Sequence, residues 1–254
     1  MKILATDFDG TFFIRPEAVP KNIEAVKRWQ NTGNQFGIVT GRPYPMILPE
    51  LERWQIPVDF LICVNGAAVH EADGTLLWSA SIPDEDAQEI LSLPELETMP
   101  YYLAATQRGL AIRSVEEPHP FWKQVCNLGR VEPETMRTMT GVLQISTAFN
   151  GSEEAHAFAQ KLDQLYHGAI SSHVNRCYCD TIAYGSSKAE GLFHLAQEKG
   201  WNPDVIHTMG DGCNDLPMLR AFHGAAPVTS EKQVLAEITE TYESVAAYID
   251  ALMA

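Results

Sequence analysis

Nowhere in these 254 residues does an apolar run approach the roughly 20 residues that a membrane-crossing helix needs, so no bilayer span is expected. Bases are scarce: 18 Lys and Arg stand against 33 Asp and Glu, a formal charge of −15. That excess repels nucleic acid and anionic lipid surfaces, and neither is an expected partner. Cysteine is thin, with five residues and no spacing that suggests a disulfide framework or a zinc site. Cys177-Tyr178-Cys179 reads as strand positions that put two small apolar thiols on one face. The eight histidines fall at no metal-ligand spacing. Low-complexity segments and internal repeats are lacking too. The first residues, Met1-Lys2-Ile3-Leu4-Ala5-Thr6-Asp7, lack the apolar stretch of a secretory signal, and a cytoplasmic location is the expectation.

What is present is an ordinary apolar fraction of 45%, over a length that allows one large domain or two modest ones. Apolar runs at 2–6, 35–40 and 60–64 alternate with helical patterns at 20–31 and 44–54. Such alternation predicts a parallel sheet covered by helices, a Rossmann-like doubly wound α/β core. A hairpin is expected around Asp73-Gly74. Beyond Pro83 the texture changes to helices at 84–93, 121–125 and 153–166 among paired strands at 101–106, 110–113, 141–147, 169–174 and 176–182. The first texture returns with a helix at 189–199, a strand at 205–209 and helices at 215–221, 231–238 and 244–252. The expected organisation is a core of residues 1–82 plus 182–254, interrupted by an α+β insert of residues 83–181.

Four places carry the chemistry. Asp7 and Asp9 follow a buried strand at spacing i, i+2, which in extended chain turns both carboxylates to one side. Ligands of open α/β sheets bind beyond the carboxyl ends of the strands. Gly10 permits a sharp turn there, and Thr11 could cap the next segment. Thr40-Gly41-Arg42 ends a second strand, where a hydroxyl and backbone N–H groups can cradle a phosphate. Lys188 sits at a predicted helix start, where the helix dipole disfavours a cation unless an anion faces it. Gly210-Asp211-Gly212-Cys213-Asn214-Asp215 follows the strand at 205–209 and offers two acids and an amide to a hard cation. Taken singly, each is also what an ordinary turn or a solvated lysine looks like. Together they supply the charges that a phosphoryl group and Mg²⁺ need.

In this order, Asp7-Phe8-Asp9-Gly10-Thr11, Thr40-Gly41-Arg42, Lys188 and Gly210 to Asp215 resemble the four motifs of the haloacid dehalogenase-like hydrolases. Asn65-Gly66-Ala67 and the large insert resemble the Cof-type branch with its C2 cap. The resemblance implies a Mg²⁺-dependent phosphatase acting on a small-molecule phosphate ester, a sugar phosphate or similar metabolite. It implies Asp7 as nucleophile, forming an aspartyl-phosphate, and Asp9 as general acid and then base. Lys188 would be catalytic too, orienting Asp7 and offsetting charge, and Thr40, the Gly41 amide, Lys188 and Asn214 would bind phosphate. Asp7, the Asp9 carbonyl and Asp211 would hold the metal, and Thr11, Arg42 and Asp215 would support them. The run Pro227-Val228-Thr229-Ser230 departs from the Gly-Asn-Ala-like turn expected there, which touches no motif residue. The expected assembly is a monomer or weak homodimer. Two other readings use the same scaffold: a phosphomutase or phosphotransferase with a long-lived phosphoenzyme, and a catalytically idle regulatory binding protein. Retention of Asp7, Asp9, Lys188 and Asp211 argues against the idle reading.

Overall fold

Ile3–Thr6 (β1) is a run of four residues buried on both faces, the signature of a strand sandwiched between helices. A computed structural model describes all 254 residues. In chain order β1 is followed by β2 (Gln35–Val39), β3 (Phe60–Cys63), β4 (Ala68–Glu71) and β5 (Leu76–Ser79). Next come β6 (Tyr101–Thr106), β7 (Gly109–Ser114), β8 (Gly129–Arg130), β9 (Val142–Ala148), β10 (Ile170–Asn175) and β11 (Tyr178–Ala183). The chain closes with β12 (Ile206–Met209), β13 (His223–Pro227) and β14 (Thr241–Tyr242). Two compact units result: residues 1–42, 50–78 and 187–254, and residues 43–49 with 79–186. No helix is long and apolar enough to cross a membrane.

The first unit holds a sheet ordered β14-β13-β12-β1-β2-β3-β4-β5. It is parallel from β14 to β3, and β4 runs antiparallel to β3. This is the expected α/β class. Ile3 and Ala5 of β1 pack with Ala189, Leu192 and Leu195 of the helix Lys188–Lys199. On the other side the helix Val19–Asn31 buries Val19, Ile23, Val26 and Trp29, and Trp29 Nε1 donates to the Gln35 carbonyl at 2.8 Å. Burying four such side chains removes each from water at about 1.5–3 kcal/mol apiece.

The second unit is a six-stranded sheet ordered β10-β11-β9-β6-β7-β8, antiparallel except for β7 with β8. The helices Asp84–Leu91 and Ser152–Leu165 bury Ala87, Ile90, Phe158 and Leu162 in one core with Tyr102 and Ala104 of β6.

Several local expectations need correction. The helix expected over 84–93 ends at Leu91, and Pro94 opens a separate turn at Pro94–Thr98. Proline starts helices more readily than it continues them. β13 and β14 were not foreseen, because His223-Gly224-Ala225-Ala226-Pro227 has neither alternation nor β-branched residues. Cys177 occupies the turn between β10 and β11 beside Arg176, whose φ is +56°, so of this pair only Cys179 is a strand thiol. Thr11 caps no helix; the next one begins at Val19.

Candidate active site

The carboxyl ends of β1, β2, β3 and β12 converge in the first unit. The Asp7 N–H donates to the Met209 carbonyl at 2.8 Å, which carries the β1–β12 ladder one step beyond Thr6. Asp7 and Gly210-Asp211 therefore leave adjacent strands side by side. The chain after Asp7 closes on itself: Phe12 N–H donates to the Asp7 carbonyl at 3.1 Å and Phe13 N–H to the Phe8 carbonyl at 2.7 Å. Gly10 adopts φ +91°, and a Cβ there would stand 2.2 Å from Asp211 Oδ2. Only glycine admits both the conformation and that approach.

Lys188 is the centre of the cluster. Ser187 caps its helix, with Oγ accepting the Glu190 N–H at 3.2 Å. Gly66 lets the turn after β3 press on this helix start, since a Cβ there would lie 1.9 Å from the Ser187 carbonyl oxygen. Lys188 is 1% exposed, and its Nζ donates to Asp7 Oδ1 at 2.6 Å and to Asp215 Oδ1 at 2.5 Å. Asp215, also 1% exposed, accepts the Gly212 N–H on its other oxygen at 2.9 Å. Burial works to neutralise Lys188, but Asp215 and Asp7 outweigh it and hold the ammonium well above its ordinary pKa. Asp7 has the opposite balance: burial lifts its pKa most strongly, and Lys188 is the main influence opposing that rise. Its anionic form therefore depends on Lys188.

Asp7, Asp211 and Asp215 place one carboxylate oxygen each within 4.8 Å of one another. Burial lifts Asp211 to about 6, while Thr11 Oγ1, donating to Asp211 Oδ1 at 2.7 Å, works against the rise. Three carboxylates around one ammonium leave an excess of negative charge among oxygen donors. That donor set fits a hard divalent cation such as Mg²⁺, which needs few protein ligands. The Asp9 carboxylate does not join this cluster. Both of its oxygens accept from Arg42, Nε at 2.7 Å and Nη2 at 2.5 Å, so Asp9 could serve a metal only through its carbonyl.

Thr40, 1% exposed, directly follows β2, and its Oγ1 accepts the Arg42 N–H at 3.1 Å. Asn214 donates from Nδ2 to Asn65 Oδ1 at 3.1 Å. Asn65 was absent from the expected site residues. It is 3% exposed at a left-handed φ of +49°, and a Cβ on Gly41 would meet its side chain at 3.0 Å. Asn-Gly directly after an apolar strand was the available signal for it. The bidentate Arg42–Asp9 pair was not foreseen, because 33 residues separate the two.

Three comparisons bear on this arrangement. The family model described as haloacid dehalogenase-like hydrolase matches residues 4–246. The pyridoxal phosphate phosphatase YbhA of Escherichia coli is 26% identical over 241 residues, covering 87% of this chain and 85% of the relative. The 5-amino-6-(5-phospho-D-ribitylamino)uracil phosphatase YwtE of Bacillus subtilis is 23% identical over 290 residues, covering 100% of this chain and 98% of the relative. In fold, the chain is similar to the subclass IIB sugar phosphatase BT4131, with a TM-score of 0.80 at 21% identity, covering 100% of this chain and 98% of the other. A putative HAD/COF-like hydrolase from Plasmodium vivax gives a TM-score of 0.85 at 19% identity, covering 100% and 95%.

Proposed function

Because the chain belongs to the haloacid dehalogenase-like hydrolases, we propose that it is a Mg²⁺-dependent phosphatase whose Asp7 attacks the phosphorus of a small phosphorylated metabolite. The observation that carries this reading is the sharing of Lys188 between Asp7 and Asp215 at 2.6 and 2.5 Å. A carboxylate of 6% exposure is held and aimed by a cation that is itself 1% exposed. That is a nucleophile's environment.

Asp7 Oδ1 is held by Lys188, which leaves Oδ2 to form the bond to phosphorus. The phosphoryl oxygens take donors from the Thr40 hydroxyl, the Gly41 N–H and Asn214. Asp9 gives its proton to the departing ester oxygen, then takes one from the water that hydrolyses the aspartyl-phosphate. Asp7, Asp211 and the Asp9 carbonyl would hold Mg²⁺, which supplies the positive field that an anionic ester and an anionic nucleophile need in order to meet. This field also reconciles the net charge of −15 with an anionic substrate. Phosphatase names among the relatives favour hydrolysis over phosphoryl transfer to a second sugar. The second unit, residues 43–49 with 79–186, is the proposed cap that selects the ester.

The test is phosphate release from a panel of sugar, nucleotide and cofactor phosphates, with Mg²⁺ and with chelator. Turnover should require Mg²⁺ and should vanish in Asp7→Asn. Wild-type turnover in Asp7→Asn would overturn the reading.

A further inference from the structure

Asp9 cannot act while it stands as it does here. A proton donor to a leaving oxygen needs a free carboxyl oxygen, and Arg42 engages both, through Nε at 2.7 Å and Nη2 at 2.5 Å. A planar fork on a carboxylate adds geometric specificity to the strength of the ion pair. The pair is nonetheless open to exchange. Arg42 is 24% exposed at its side chain and Asp9 is 49% exposed. The site's other cation, Lys188, is 1% exposed and committed to two carboxylates. Arg42 is thus the cation in this cluster that can change partners.

Its anchoring suits a movable fork on a fixed base. The Arg42 N–H donates to Thr40 Oγ1 at 3.1 Å, and the Arg42 carbonyl accepts the Val64 N–H at 3.2 Å, so its backbone is tied to the ends of β2 and β3. The guanidinium carbon lies 5.1 Å from the centroid of the Phe8 ring. Burial opposes the charge on Arg42, while Asp9, then Glu50 and last Asp7 favour it. Through its backbone bond to Thr40 and its fork on Asp9, Arg42 joins the proposed phosphate cradle to the proposed proton donor.

Resting on the phosphatase reading, the geometry points to Arg42 as a positioning residue that holds Asp9 until the phosphoryl anion of the substrate takes over its guanidinium and frees Asp9 for the leaving oxygen. A phosphoryl group offers the same paired oxygens as a carboxylate. The exchange trades one charge-assisted pair for another and leaves the proton donor free only when an ester is bound. No covalent bond changes in it.

The consequence is a coupling that a structural role would not produce. If Asp9 competes with phosphate for Arg42, then Asp9→Asn should tighten binding of inorganic phosphate in the presence of Mg²⁺ by about fivefold or more. That gain should vanish in the Arg42→Ala background. Simple removal of a negative charge would tighten phosphate in both backgrounds, and more where Asp9 lacks its partner. Calorimetric titration of wild type, Asp9→Asn, Arg42→Ala and the double variant reads this directly. Arg42→Lys keeps the charge without the fork and should give an intermediate gain, with circular dichroism confirming that each variant is folded. In steady state, Arg42→Ala should raise KM about tenfold or more for both an aryl and an alkyl phosphate. Equal gains with and without Arg42, or unchanged KM, would overturn the inference. If those results come while Asp7→Asn still abolishes turnover, the phosphatase reading stands alone. Failure of wild type to bind phosphate or to hydrolyse either ester overturns both.

Discussion

Lys188 Nζ stands 2.6 Å from Asp7 and 2.5 Å from Asp215, so one buried ammonium serves two buried carboxylates. The two acids leave β1 and the segment after β12, and the lysine opens the helix that covers them. Fold and site therefore meet at one atom, and its removal should be felt in both.

Replacing Lys188 with Met keeps most of the side-chain volume and removes the charge. Two carboxylates are then buried without a counter-charge, and urea unfolding should show a loss of about 3–5 kcal/mol. Adding Asp215→Asn should restore part of that loss, because one buried charge goes with it. Turnover should fall by roughly a hundredfold or more in the single variant and stay low in the double.

Gly10→Ala places a Cβ on the Asp211 carboxylate at a φ of +91°. The backbone strain alone should cost about 1–3 kcal/mol. Asp211 must also move, so the Mg²⁺ concentration for half-maximal turnover should rise more than the thermal stability falls. Metal titrations of activity beside thermal melts separate the two effects.

Thr11→Val removes the hydroxyl that donates to Asp211 at 2.7 Å. That hydrogen bond favours the ionised acid, which burial has already lifted to about 6. Its loss should raise the Asp211 pKa further, so protons compete with Mg²⁺ from a higher pH. Apparent Mg²⁺ affinity should drop about tenfold, with a larger deficit at pH 6 than at pH 8. A deficit that does not change with pH would contradict the assigned role of Thr11.

His207, on β12 away from the acids, gives a separate pH signature. Burial lowers its pKa from 6.5 to about 4, helped by His223 and Lys2 and opposed by Glu240. Its ring lies 5.0 Å from that of His223. The folded state therefore binds this proton less readily than the unfolded chain does. Stability is complete above pH 6.5 and is lost as pH falls from 6.5 toward 4, by on the order of 1–3 kcal/mol after allowance for partial exposure. His207→Gln should flatten that part of the stability curve measured by denaturant titration.

Much of this molecule was legible in its sequence because the local signals agreed. The runs at 35–39 and 60–63 are apolar, short and stopped by Gly41 and Gly66, and each became a parallel strand. Asp7, Lys188 and Asp215 could be named because each stands at the end of an element with a clear period. What stayed hidden depended on contacts across long separations. Nothing local in Arg42 announces Asp9, and nothing in Thr11 announces Asp211, 200 residues away. β13 lacked any side-chain pattern, since pairing with β12 on one edge and β14 on the other, rather than propensity, makes it a strand.

The central claim is that Asp7 bonds to phosphorus. Rapid quenching of the enzyme during turnover of a radiolabelled phosphate ester, followed by peptide mapping, tests it most directly. The account predicts an acid-stable, hydroxylamine-labile phosphoryl group on the peptide that carries Asp7, absent from Asp7→Asn. Phosphate release at the normal rate with no label on that peptide, or with label on another residue, would contradict it.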